Sequence, residues 1–114
     1  MKNPEVLRNP QDFNRLYKKG KSSGSKYVVV LYKQNNLPYK RRAFLASKKV
    51  GNSVARHRAV RLMRESYRQL ISLFPDGYDY IFIARNSITN CKCADVKKSI
   101  EAAMKRANIL AHVE

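Results

Sequence analysis

The chain has 114 residues, 24 of them Lys or Arg against 8 Asp or Glu, giving a formal net charge of +16. That length suits a single domain over residues 1–114, and 44% hydrophobic residues can fill one core, which excludes general disorder. A charge this large opposes compaction by self-repulsion, so its simplest explanation is a polyanionic partner that neutralises it. In chain order, Asn9-Pro10-Gln11-Asp12 predicts a helix start: Asn9 caps, Pro10 takes the first helical position and Asp12 sits near the positive dipole end. Phe13, Leu16 and Tyr17 follow at helical spacing, and Gly20 ends the helix. Ser22 to Ser25 reads as a loop. Tyr27 to Tyr32 is β-branched and aromatic on both faces, as in an interior strand. Gln34 to Pro38 turns the chain, and Arg42 to Lys48 reads as a second strand. After Gly51, Asn52 or Ser53 caps a long helix that runs to about Phe74. Pro75-Asp76-Gly77 is a turn, and Tyr78 to Ala84 is another strand. A last helix from about Cys93 to Leu110 carries Val96, Ile100, Ala103, Ala107 and Leu110 on one stripe. The order α-β-β-α-β-α implies an α+β fold, three helices on a small sheet.

The charge is concentrated. Residues 1–39 hold 8 basic and 2 acidic residues, residues 40–68 hold 10 and 1, and residues 69–114 hold 6 and 5. Projected at ~100° per residue, the long helix gathers His57, Arg58, Arg61, Arg64 and Arg68 on one arc. Ala55, Ala59, Leu62, Met63, Leu70 and Leu73 fall on the opposite, core-facing side. Arg56 lies off the arc, in the first turn. Neighbouring arginines at i,i+3 and i,i+4 repel by a few tenths of a kcal/mol, and Glu65 is the one acid on this helix. A solvated face laced with ion pairs is therefore a poor account of it. Guanidinium forks suit phosphate oxygens bidentately, so the stripe reads as a nucleic-acid footprint. Ser47 to Ser53 adds Lys48, Lys49 and a Gly-containing turn at the helix N-terminus, where free N–H groups attract anions. Phe13 and Tyr17 beside Arg15, Lys18 and Lys19 suggest a second surface, on which unpaired bases stack. Packing of that helix on the sheet is the competing use of the same rings.

The run Ser47-Lys48-Lys49-Val50-Gly51-Asn52-Ser53-Val54-Ala55-Arg56-His57-Arg58-Ala59-Val60-Arg61-Leu62-Met63-Arg64-Glu65 resembles the signature of the bacterial ribonuclease P protein component. The likeness extends to Asp12 to Gly20 and to Tyr80 to Arg85. It implies a ribosomal protein S5 domain 2-like scaffold in which the Arg-rich helix makes a left-handed crossover between parallel strands, against the usual rule. It also implies the protein subunit of a ribonucleoprotein that removes the 5′ leader from precursor tRNA, with the active site and its Mg²⁺ on the catalytic RNA. By the same resemblance, Arg56, Arg58, Arg61 and Arg64 match RNA-binding positions, with Lys48, His57 and Arg68 beside them. Phe13, Tyr17, Val29 and Lys49 match a leader-binding cleft, with either Leu31 or Tyr32 at the next position. Two residues depart from the pattern: His57 stands where Asn is usual, and Val60 where Lys is usual.

Protein-borne nuclease chemistry is missing. Paired acid–base groups or a carboxylate cluster for two metals would be needed. His57 lies on the Arg helix, His112 near the end, and Asp76 and Asp79 flank Gly77 as turn residues. Cys91 and Cys93 are too close for an unstrained disulfide and lack a second pair for zinc. The polypeptide alone is expected to be inactive, to hold no metal and to need no protein partner. No apolar run approaches the ~20 residues of a membrane span, and the start lacks a signal-peptide core, so a cytoplasmic setting is expected. Two other readings compete: a non-enzymatic RNA-binding or ribosome-associated assembly protein, and a DNA-binding module. No helix-turn-helix partner precedes Val54 to support the latter.

Overall fold

The Asn9 side chain accepts from the Gln11 N–H, Pro10 takes the first helical position, and helix α1 spans Pro10–Lys19. Gly20 stops it with extended backbone. Glycine is needed there because a Cβ would come within 2.5 Å of the Leu16 carbonyl. The structure, a computed structural model, describes residues 3–108. The segment read as a loop is instead a short strand, β1 (Lys21–Gly24). Its polar residues are compatible with a sheet edge, and Ser23 donates to the Ala103 carbonyl at 2.6 Å, which gives the hydroxyl a partner on burial.

β2 (Val28–Gln34) follows, then β3 (Arg41–Leu45), which ends earlier than its sequence pattern suggested because Ser47 to Val50 turn into the next helix. Helix α2 (Ser53–Leu70) is capped by Asn52, whose side chain accepts from the Ala55 N–H, and closes in a 3₁₀ turn, Ile71–Leu73. Gly51, at φ 149°, supplies the sharp entry. β4 (Tyr78–Ala84) has the predicted limits, and α3 (Cys93–Ala107) begins where expected. Leu110, assigned to its stripe, and His112 lie outside the described residues.

The sheet order is β1-β2-β4-β3, with β2 antiparallel to both its neighbours, β1 and β4, and β3 parallel to β4. α2 makes the crossover between those parallel strands. Alternation along each strand divides the apolar residues between two faces. Val28, Val30, Tyr32, Tyr80, Phe82 and Ala84 meet α2 and α3 in the larger core. Leu16 of α1 covers Ala43 and Ile81 on the opposite face, joined by Leu7.

The larger core contains a chain of rings. Phe44 stacks on Phe82 with centroids 5.2 Å apart, and Tyr67 lies edge-on to Phe74 at 4.9 Å. The buried face of α2 is Ala59, Met63, Ser66, Tyr67 and Leu70. Ser66 can be there because its hydroxyl donates to the Leu62 carbonyl at 2.8 Å. Ala55, Leu62 and Leu73, assigned to the core side from the projection, are only half-buried, Leu73 in the 3₁₀ turn that follows α2. Tyr67 Oη has no hydrogen-bond partner among the described residues, and burial pushes its ionisation far above the ordinary tyrosine value. An unpaired buried hydroxyl costs on the order of 1–3 kcal/mol. Tyr67→Phe is therefore expected to raise stability by about 1 kcal/mol, read as a higher urea midpoint at unchanged m-value. A lower midpoint would show that the hydroxyl has a partner.

Candidate nucleic-acid interface

Two surfaces bear on the predicted site, one on α2 and one between α1 and the sheet. On α2, His57, Arg61, Arg64 and Arg68 are exposed, as are Lys48 and Lys49 in the turn before it. Arg56 is half-buried. His57, Arg61 and Arg64 make no side-chain hydrogen bond or ion pair among the described residues; Arg64 lies 5.9 Å from the Phe44 ring centroid. The predicted ribbon is thus largely free of carboxylates, but two members are engaged. Arg68 is gripped by Glu65, which accepts from both its Nε and terminal nitrogen and holds Gln69 as well. Those bonds keep the Glu65 carboxyl down at about 2, below the ordinary glutamate range. Arg58 turns aside to donate to the Thr89 carbonyl at 2.9 Å and to the Cys91 carbonyl, tying α2 to the approach to α3. The uninterrupted ribbon read from the helix projection therefore narrows to His57, Arg61 and Arg64, flanked by Lys48, Lys49 and Arg56. Val60 is half-buried against the larger core, so a lysine there would have to leave that contact.

On the other face, α1 lies over one row of the sheet and leaves the next row partly open. Register pairs Leu31 with Ile81 and Ala43 under α1, and pairs Val29 with Ile83, which pairs in turn with Leu45. Val29, Ile83 and Leu45 are all half-buried. Phe13 is half-buried against this core and Tyr17 is 53% exposed, their ring centroids 6.5 Å apart. Leu31 shares this face, whereas Tyr32 points to the opposite one and is buried. The turn carrying Lys49 begins two residues beyond Leu45. Aromatic rings beside half-buried aliphatic side chains are the kind of surface on which unpaired bases stack.

Sequence reasoning missed what holds α1 in place. Asp79, read as a turn residue, is a buried member of β4, 3% exposed, and accepts both arms of the Arg41 fork at 2.8 and 2.6 Å. Asn35 adds a third bond to it at 2.9 Å. Arg41 reaches on to Asp12 of α1 at 3.2 Å, and Asp12 also accepts from Arg15. The bonds to Asp79 raise the Arg41 pKa further above its ordinary value. The available signal was the alternation of Tyr78-Asp79-Tyr80-Ile81, which puts Asp79 on the same face as Ile81. Asp76, by contrast, is the exposed turn residue expected, paired with Lys40.

The model of the family described as Ribonuclease P matches residues 1–108. The chain belongs to the ribonuclease P protein family. The ribonuclease P protein component of Pelotomaculum thermopropionicum is 40% identical over 109 residues, covering 96% of this chain and 97% of its own. The ribonuclease P protein of Staphylococcus aureus superposes with a TM-score of 0.83 at 30% identity, over 94% of this chain and 98% of that one. That of Thermotoga maritima gives a TM-score of 0.80 at 29% identity, over 90% and 96%. As a member of this family the chain is the protein component of an endoribonuclease, and its α+β fold is the family's. No helix among the described residues is long and apolar enough to cross a membrane, and no three His, Cys, Asp or Glu side chains among them converge on a point.

Proposed function

We propose that this ribonuclease P protein binds the catalytic RNA through the exposed face of α2 and the Lys48–Gly51 turn, and grips the single-stranded 5′ leader of precursor tRNA between α1 and the sheet. The observation that carries this reading is the ribbon of His57, Arg61 and Arg64, which no carboxylate among the described residues neutralises, on a chain of net charge +16. Phosphates complete such a ribbon and give it a salt-dependent affinity. The RNA, with its Mg²⁺, supplies the bond-breaking chemistry in the cytoplasm. The protein supplies binding and placement, which raise the effective concentration of the leader at the reacting site. Purified protein added to a bacterial ribonuclease P RNA at low Mg²⁺ should increase cleavage of precursor tRNA over the RNA alone. No increase would defeat the proposal.

The leader groove has its own test. Phe13 packs on the smaller core, so its truncation mixes folding with binding, whereas Tyr17 is mostly exposed. Tyr17→Ala should weaken the assembled complex for precursor tRNA by roughly 5- to 160-fold, the range of one lost base stack at ~1–3 kcal/mol. Affinity for mature tRNA, which lacks the leader, should not move. Equal losses on both would take Tyr17 out of the groove.

A further inference from the structure

The outer edge of β3 carries an opening of about 300 Å³ that shares Phe13 and Leu45 with the surface under α1 and Arg64 with the α2 ribbon, and adds the main-chain edge between them. Phe13 of α1 and Leu45 of β3 line one side, Arg64 of α2 the other, with Leu7, Arg42 and Phe44 between. The N-terminal segment covers only the start of this edge. Arg42 N–H donates to the Glu5 carbonyl and the Leu7 N–H donates to the Arg42 carbonyl, both at 2.9 Å. Two residues on, Phe44 points its main chain the same way, because alternate residues of a paired strand face the same edge. The Phe44 N–H and C=O therefore face away from β4, and neither bonds to the N-terminal segment or to a side chain among the described residues. One donor and one acceptor thus lie side by side between the apolar side chains of Leu7, Phe13 and Leu45. Two guanidiniums frame them, Arg64 over the Phe44 ring and Arg42 over the Tyr67 ring, each 5.9 Å from the centroid. Arg64 has no ion-pair partner among the described residues, whereas Arg42 donates to the Glu5 carbonyl at 3.1 Å and pairs with the half-exposed Glu5 carboxylate at 3.4 Å, a contact a phosphate would have to share or displace.

We propose that this edge holds one unstacked ribonucleotide, its base edge hydrogen-bonded to the Phe44 main chain and its phosphate shared by Arg64 and Arg42. The base lies against Leu45 and Phe13. The chemistry is that of single-stranded RNA recognition, in which a splayed base is read on its edge and its phosphate is held by arginine. An opening of this size is at the small end for ligand sites, ~300–1,000 Å³, and suits one nucleotide and no more. The inference deepens the RNA-binding reading and rests on it. It adds a base-reading element that bridges the α2 ribbon and the leader groove.

The test is an amide ¹H–¹⁵N titration of the full chain with each of the four ribonucleoside 5′-monophosphates, and with inorganic phosphate as the control. Saturable shifts at Phe44, Leu45 and Leu7, stronger for at least one nucleotide than for phosphate, are expected. Arg42→Gln and, separately, Arg64→Gln should each weaken that nucleotide by about 5-fold or more. Arg64 is exposed, so the second variant remains informative should the first fail to fold. Equal shifts with phosphate alone, or shifts confined to α2, would overturn the pocket while leaving RNA-subunit assembly, measured separately, to judge the broader reading. In the assembled complex, a loss by Arg42→Gln restricted to precursor tRNA assigns the nucleotide to the leader. Weaker assembly assigns it to the catalytic RNA. No change in either overturns the proposal.

Discussion

The double variant Arg61→Ala/Arg64→Ala is expected to weaken binding to the catalytic RNA and to flatten the plot of log K against log[salt] by roughly 1.4–1.8. That figure is two phosphate contacts at ~0.7–0.9 each. Both side chains are exposed on α2, and neither has a hydrogen-bond or ion-pair partner among the described residues, so truncation leaves nothing unpaired inside the protein. The fold should be indifferent or slightly steadier, since removing i,i+3 like charges relieves a few tenths of a kcal/mol. Affinity and stability are therefore expected to move in opposite directions. Arg58→Ala should behave differently. Its guanidinium is committed to the Thr89 and Cys91 carbonyls, so its removal leaves acceptors behind and loosens the seat of α3. Salt titrations of the variants, with urea unfolding alongside, separate the two classes. An unchanged slope for the double variant would remove Arg61 and Arg64 from the RNA interface.

Elements with a strong local signature were legible before any coordinates. Asn9-Pro10 and Gly51-Asn52 set helix starts through capping chemistry that operates within four residues. Tyr78 to Ala84 has no alternative to being an interior strand. The features that escaped depend on partners distant in sequence. β1 is Lys-Ser-Ser-Gly, and it is a strand only because β2 lies beside it and α3 accepts the Ser23 hydroxyl. The helix projection found the basic face of α2 but gave each arginine equal standing. Whether an arginine stays free was decided by Thr89 and Cys91 for Arg58, and by the closeness of Glu65 for Arg68. The groove residues were reached through resemblance, and strand alternation puts Leu31 on their face and Tyr32 on the opposite one. The β3 edge was invisible for a simpler reason: its donor and acceptor are main-chain groups, present in every residue and exposed by topology alone.

Asp79→Ala is expected to cost about 3–5 kcal/mol, the penalty for removing one partner of a buried ion pair. Against a total stability of ~5–15 kcal/mol this is a large fraction. The substitution leaves the Arg41 guanidinium, whose side chain is 17% exposed, without its bidentate partner, and strips the Asn35 amide of an acceptor. The Asp12 carboxylate remains, so the loss should fall at the lower end of the range if α1 shifts to let Arg41 re-pair. The pair itself is not a large net source of stability, because desolvating two charges offsets most of their attraction. Asp79→Leu combined with Arg41→Met should accordingly recover most of the loss and can match the parent. What that variant cannot restore is the link from Arg41 to Asp12, which fixes the start of α1 above the sheet. The double variant is therefore expected to unfold at a near-parental urea midpoint yet discriminate less well between precursor and mature tRNA, since Phe13 and Tyr17 ride on that helix. A single variant within about 1 kcal/mol of the parent would show that the network carries little weight. Full discrimination in the double variant would show that the smaller core alone positions α1.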